Sequence, residues 1–213
     1  MKRFFLRVVI LLVGLTIAHL GVTLFLLSDL GADPFNVLIQ GLFRVLQKPL
    51  PFLTHGTTHV AVCLLIVAVL LIVDRSYVKL GTLLCMVFGG PIIDLFTWIL
   101  SPLQIGAAPL WIKIPVLALG CVILAYGMTI VIKSEAGTGP NDLVAVVLSD
   151  KTKVRFGIMR IVVDFSFVAL GWLMGGVFGV GTLICAFLVG PVADFFLPKN
   201  EALIRRLLEK VPA

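Results

Sequence analysis

Long apolar stretches alternate along the chain with short polar interruptions, and the interruptions recur in the same order. Apolar runs fill about 4–27, 57–74, 110–132 and 156–174, and two more open as GTLLCMVFGGPIIDLF (Gly81 to Phe96) and GTLICAFLVGPVADFF (Gly181 to Phe196). Runs near 20 residues are what a helix needs to cross about 30 Å of hydrocarbon. Two shorter segments, 34–47 and 140–150, open at proline in GADPFNVL and GTGPNDLV. Proline suits the first helical position, where its missing N–H would have had no partner, so each reads as a Gly-rich bend followed by a helix start. At about 1.5 Å per residue these make helices of roughly 21 and 16 Å, too short to span comfortably.

The order long, short, long, broken occurs twice. Without a gap, Gly81, Thr82, Cys85, Gly90, Pro91, Asp94 and Phe96 fall on Gly181, Thr182, Cys185, Gly190, Pro191, Asp194 and Phe196. The first helix matches the segment from Lys113 onward through Gly14/Gly120, Gly21/Gly127, Thr23/Thr129, Gly31/Gly137 and Pro34/Pro140, and HGTTHVAV (55–62) matches FGIMRIVV (156–163). The expected architecture is an all-α polytopic membrane protein, one membrane domain over 1–213. It has two internal repeats, 4–99 and 110–197, and an amphipathic cytosolic tail over 198–213 that rests on anionic lipid. Helix breaks are expected at Pro34, Pro140, Gly90, Pro91, Gly190 and Pro191.

Composition agrees with this pattern. Apolar residues make up 60% of the 213 residues and charged ones 13%, where soluble domains carry roughly 25% charged residues. The net charge of +6 comes from basic residues at the ends of apolar runs rather than from a continuous stripe, so it sets topology and does not signal nucleic acid. With six crossings and the N-terminus inside, 14 of the 17 basic residues are cytosolic, all but Arg44, Lys48 and Lys113. Eight crossings score the same, so charge does not choose. Length favours six, which makes the repeats inverted, three crossings each. Both versions leave the two termini in the cytoplasm. The N-terminal apolar run is too long for a signal peptide and reads as a retained helix.

These motifs, LGADPFNVL, AGTGPNDLV and the paired Gly-Thr…Gly-Pro…Asp segments, resemble the bacterial YczE/YitT family of small multi-pass membrane proteins over essentially the whole chain. The resemblance implies a protein of the bacterial cytoplasmic (inner) membrane, with transport as its suggested role. The halves differ at DPFN and GPND, so the two short helices are not chemically equivalent.

Ionisable groups inside membrane segments are costly and mark pathways or pairs. Asp94 and Asp194 each follow a Gly-Pro by three residues; they either line a proton or cation path or lie near a helix end as caps. Arg160 and Asp164, four apart, can neutralise each other, and His59 aligns with Arg160. Asn36, Asn141 and Asp142 lie just inside the short helices, where unpaired N–H groups and a partial positive charge favour polar ligands, and where capping is the alternative. His19 stands alone on an apolar helix. His55 and His59 do not make a convincing metal set, and the four cysteines, in apolar runs with no C-x-x-C, read as packing residues. No hydrolase or metalloprotease motif occurs, so neither an enzyme nor a cofactor is expected.

The reading that follows is a secondary transporter of a small polar solute, with protons as the coupling ion if Asp94 and Asp194 face a path. A solute channel and a membrane-embedded binding subunit of a larger transport complex are the alternatives. The expected partners are a small-molecule or ion substrate and membrane lipid; small-residue faces allow a homodimer.

Overall fold

The computed structural model describes residues 2–53 and 55–210, without the side chains of 55 and 56; His55 as a ligand and the last three tail residues therefore lie outside the described residues. The elements are α1 (Lys2–Leu27), α2 (Pro34–Leu46), α3 (His55–Asp74), α4 (Leu80–Leu100), α5 (Leu110–Lys133), α6 (Pro140–Thr152), α7 (Phe156–Leu173) and α8 (Val180–Glu209), with short 3-10 turns at 75–77, 101–103 and 105–107. Among the described residues, six helices are long and apolar enough to cross a membrane: α1, α3, α4, α5, α7 and α8. α2 and α6 have 13 residues each, about 20 Å of helix. The chain folds as a polytopic helical membrane protein.

The centre is α1 against α5. Gly14, Gly21, Gly120 and Gly127 sit in that seam, and a Cβ on Gly120 would lie 2.8 Å from Gly21 O, one on Gly127 2.6 Å from Gly14 O. Backbone meets backbone, as small residues allow where lipid offers no hydrophobic drive. α8 packs along α5, burying Cys185, Val189 and Ala193 with Leu117, Cys121 and Ala125. α2 crosses from its own half onto α7, where Gly41 meets the backbone of Gly171. α6 in turn buries Leu143 and Val147 against Leu70 of α3.

The bends before the short helices are fastened crosswise. Gly31 and Gly137, at matched positions, adopt φ of 138° and 140°, a region that glycine enters without the steric cost of a Cβ. Gly181 N donates to Leu30 O at 2.9 Å, and Gly81 N donates to Ala136 O at 2.8 Å. Thr182 Oγ1 accepts from Gly179 N at 3.1 Å and donates to Ala32 O at 2.5 Å. In the mate, Lys79 N donates to Thr82 Oγ1 at 3.5 Å. So α8 starts on the bend after α1, and α4 starts on the bend after α5. Thr182→Val leaves a buried carbonyl and amide without that hydroxyl and is expected to cost about 1–2 kcal/mol; a detergent-solubilised melt showing a larger loss for Thr82→Val would contradict the assignment.

Two expectations change. Gly90-Pro91 and Gly190-Pro191 do not break their helices: α4 and α8 run through them. A proline forfeits one intrahelical bond, but its fixed φ is helical, and the flanking turns hold the axis. The tail from residue 198 is likewise no separate surface helix, since α8 continues through Pro198 to Glu209. Its inner face is claimed by protein: Asn200 Nδ2 donates to Thr129 Oγ1 at 2.6 Å, Lys133 Nζ lies 2.5 Å from Glu201 Oε2, and Ile204 is buried with Ile10 and Ile130. Arg205 and Arg206 remain on the exposed face.

Candidate functional site

The starts of α2 and α6 converge on one cavity of about 310 Å³, walled by α1, α3, α4, α5, α7 and α8. Its polar lining is Asp33, Asn36, Asn141, Asp142 and Arg160, with the imidazoles of His19 and His59. Asp33 caps α2: its Oδ2 accepts from Asn36 N at 3.2 Å, and its Oδ1 accepts from Asn36 Nδ2 at 2.5 Å. α6 has no side-chain cap, because its N-cap is Gly139. Asp142 is therefore not spent on its own helix. Its Oδ1 accepts from Asn141 Nδ2 at 3.0 Å and from Arg160 Nη1.

Arg160 is the hub. Only 6% exposed, it donates from Nε to Asp164 Oδ2 at 2.9 Å and contacts Met128 Sδ at 3.8 Å through Nη1. The pairing with Asp164 is the i, i+4 one, and Asp142 adds a second carboxylate from α6. Asp164 Oδ1 is buried with no hydrogen-bond partner among the described residues. Two carboxylates, Asp142 and Asp164, hold this guanidinium, and a third, Asp33, lines the same cavity with two helix N-termini, each worth about half a positive charge. The helix ends offset part of the excess negative charge, and low dielectric makes the remainder count.

His59 sits edge-on to Phe35, ring centroids 5.3 Å apart. Across the cavity His19 Nδ1 lies 2.8 Å from Leu15 O, while Nε2 points over Gly89. Cys63, Cys85 and Cys185 complete the wall with Met86 and Met128. Of the residues singled out in the sequence, Asn36, Asn141, Asp142, His59 and Arg160 meet here, and Asp164 stands behind Arg160. His19, which the sequence showed alone on an apolar helix, joins them, and Asp33 is the addition. The signal for Asp33 was present as Asp-Pro, an N-cap before a first-turn proline.

Asp94 and Asp194 are not among the lining residues. Asp94 is exposed on α4. Asp194, half-buried on α8, accepts at Oδ1 from Gly157 N at 2.7 Å, in the first turn of α7. The acid is spent on the start of a neighbouring helix; its own helix, α8, runs on to Glu209, so it does not lie near that helix's end.

A broken-helix cavity inside a six-helix membrane chain invites comparison with known proteins. A family model described as a family of unknown function, DUF6198, matches residues 5–198. The chain belongs to this family. It is 31% identical over 192 residues to an uncharacterized membrane protein, YczE, of Bacillus subtilis, covering 90% of this chain and 85% of that one. An uncharacterized protein of Haemophilus influenzae is 30% identical over 190 residues, 88% of this chain and 82% of its own. A second Bacillus subtilis protein, YyaS, is 26% identical over 189 residues, 89% and 91% of the two chains. No solved structure matches. The family membership and the six apolar helices agree on a multi-pass membrane protein.

Proposed function

We propose that this protein is a secondary transporter of a small polar solute across the bacterial cytoplasmic membrane, with both termini on the cytosolic side. The observation that carries the reading is the convergence of two proline-opened helix starts on a polar cavity of about 310 Å³ within otherwise apolar helices. That volume lies in the range of small-molecule pockets, and helix ends aimed at a mid-membrane site are how broken-helix transporters hold solute. The crosswise fastening of the two halves supports an inverted duplication about that site. If protons are coupled, Asp33 and Asp142 are the acids placed to carry them, rather than Asp94 and Asp194.

Gly90 provides the test. It lines the cavity, and among the described residues no atom lies within 4 Å of where its Cβ would sit. Gly90→Trp should therefore fill the space without disturbing the fold. In a thermal-shift screen of small polar solutes, hits on the parent protein are expected to vanish in Gly90→Trp while the ligand-free melt stays put. Flux of the hit into proteoliposomes should saturate and show counterflow. Linear, unsaturable flux would make the cavity part of a channel, and hits that survive the tryptophan would move the site elsewhere.

A further inference from the structure

The two matched seams of the molecule are in different states. On one side Gly190 is buried against Gly157 O of α7, with Ile161 Cγ1 3.0 Å from where its Cβ would sit, and Asp194 fastens the first turn of α7. On the other, Gly90 is exposed and, among the described residues, no atom lies within 4 Å of where its Cβ would sit; Asp94 is exposed, and Val60, the residue matched to Ile161, is 51% exposed. Met86, Gly89, Gly90 and Ile93 of α4 and His59 and Cys63 of α3 border the cavity at this looser seam.

The seams also point to opposite ends. α8 starts on the bend after α1 and runs toward the end that carries both termini, where Lys133 meets Glu201 and Arg7 meets Glu135 at 2.7 Å. α4 starts beside Ala136 at that same end and runs the other way. Asp194 and Asp94, each 14 residues into this course, therefore lie about 21 Å along oppositely directed helices.

We propose that Asp194 is the latch of one of two gates. It holds α7 to α8 and closes the cavity toward the termini, while the seam between α3 and α4 stands open toward the opposite end. Asp94 is the counterpart latch, engaged when α4 closes on α3 and the α7–α8 seam parts. This rests on the transport reading for its purpose, but its geometry does not depend on any solute. A backbone N–H on a carboxylate is a charge-assisted bond, strong enough to bias an equilibrium and weak enough to exchange.

Native thiols report it. Cys63 and Cys85 line the cavity, so the full-length protein, oriented in proteoliposomes, can be treated from either side with a membrane-impermeant cationic methanethiosulfonate and the two peptides read by mass spectrometry. Labelling should come from the side opposite the termini, with only slow modification from the termini side. Asp194→Ala should raise the termini-side rate by about tenfold, the factor one such hydrogen bond makes. Asp194→Asn, whose amide oxygen still accepts from Gly157 N, should label like the parent. Asp94→Ala, at an exposed site, keeps the fold testable and should lower the slow termini-side rate, because the opposite state loses its latch.

Parent protein labelled equally from both sides, or a monodisperse Asp194→Ala labelled like the parent, overturns the proposal, as does an Asp94→Ala rate that does not fall. Saturable flux with labelling indifferent to Asp194 would overturn the latch alone. One-sided labelling that moves with Asp194, in a protein that carries no solute, would leave the latch standing and refute transport.

Discussion

Arg160→Met is expected to lower the unfolding free energy by about 3–5 kcal/mol, the usual cost of removing one partner from a buried ion cluster. The guanidinium is buried between Asp142 and Asp164, and among the described residues the second oxygen of Asp164 is already without a partner. Taking the cation away leaves two carboxylates facing one another in low dielectric, with a helix start as their remaining compensation. Restoring neutrality should restore most of the stability: Arg160→Met with Asp142→Asn and Asp164→Leu is predicted to melt far closer to the parent than the single variant, because a well-packed apolar replacement of a buried ion cluster is often neutral. Thermal melts of the detergent-solubilised proteins decide it. A single variant that melts with the parent would mean that the cluster is not the hub of the fold.

Gly127→Val is the second large loss. Its side chain would be driven into the backbone of Ala18 and toward Gly14 O, atoms that cannot rotate away. Overpacking of this kind costs about 1–3 kcal/mol, and here it also forces α1 from α5 along the seam at the centre of the molecule. Gly90→Ala is the matching control, because no described atom lies near its Cβ; its melt should stay within about 0.5 kcal/mol of the parent, as for substitutions away from special features. Equal losses at the two glycines would show that helix propensity, rather than close approach, sets their value.

Much of this architecture was legible because membrane helices announce themselves by length and because proline marks the start of the short ones. Pro34 and Pro140 open helices in the structure as their sequence context predicted. Gly31 and Gly137 take positive φ at the bends that precede them. Of the lining residues, His59 and Arg160 were marked by the cost of ionisable groups in such segments, and Asn36, Asn141 and Asp142 by their place just inside the short helices. What sequence could not supply is the direction in which a side chain is spent. Asp142 and Asp33 stand near equivalent helix starts, yet one caps its helix and the other turns to Arg160, because Gly139 offers no cap and α7 brings a cation within reach. Gly90-Pro91 and Gly190-Pro191 looked like breaks because a proline removes a local bond, whereas the course of a long helix is set by its packing. Asp94 and Asp194 are identical by pattern and differ only in what lies across from them, which is tertiary information.

The crosswise fastening at Leu30–Gly181 and Ala136–Gly81 has one more consequence. The last helix of each half begins on a bend that belongs to the other, so neither half owns a complete anchor for all of its helices. Neither start can be fastened until both stretches have been made and brought together: α4 waits for the bend after α5, and α8 closes on a bend made long before it.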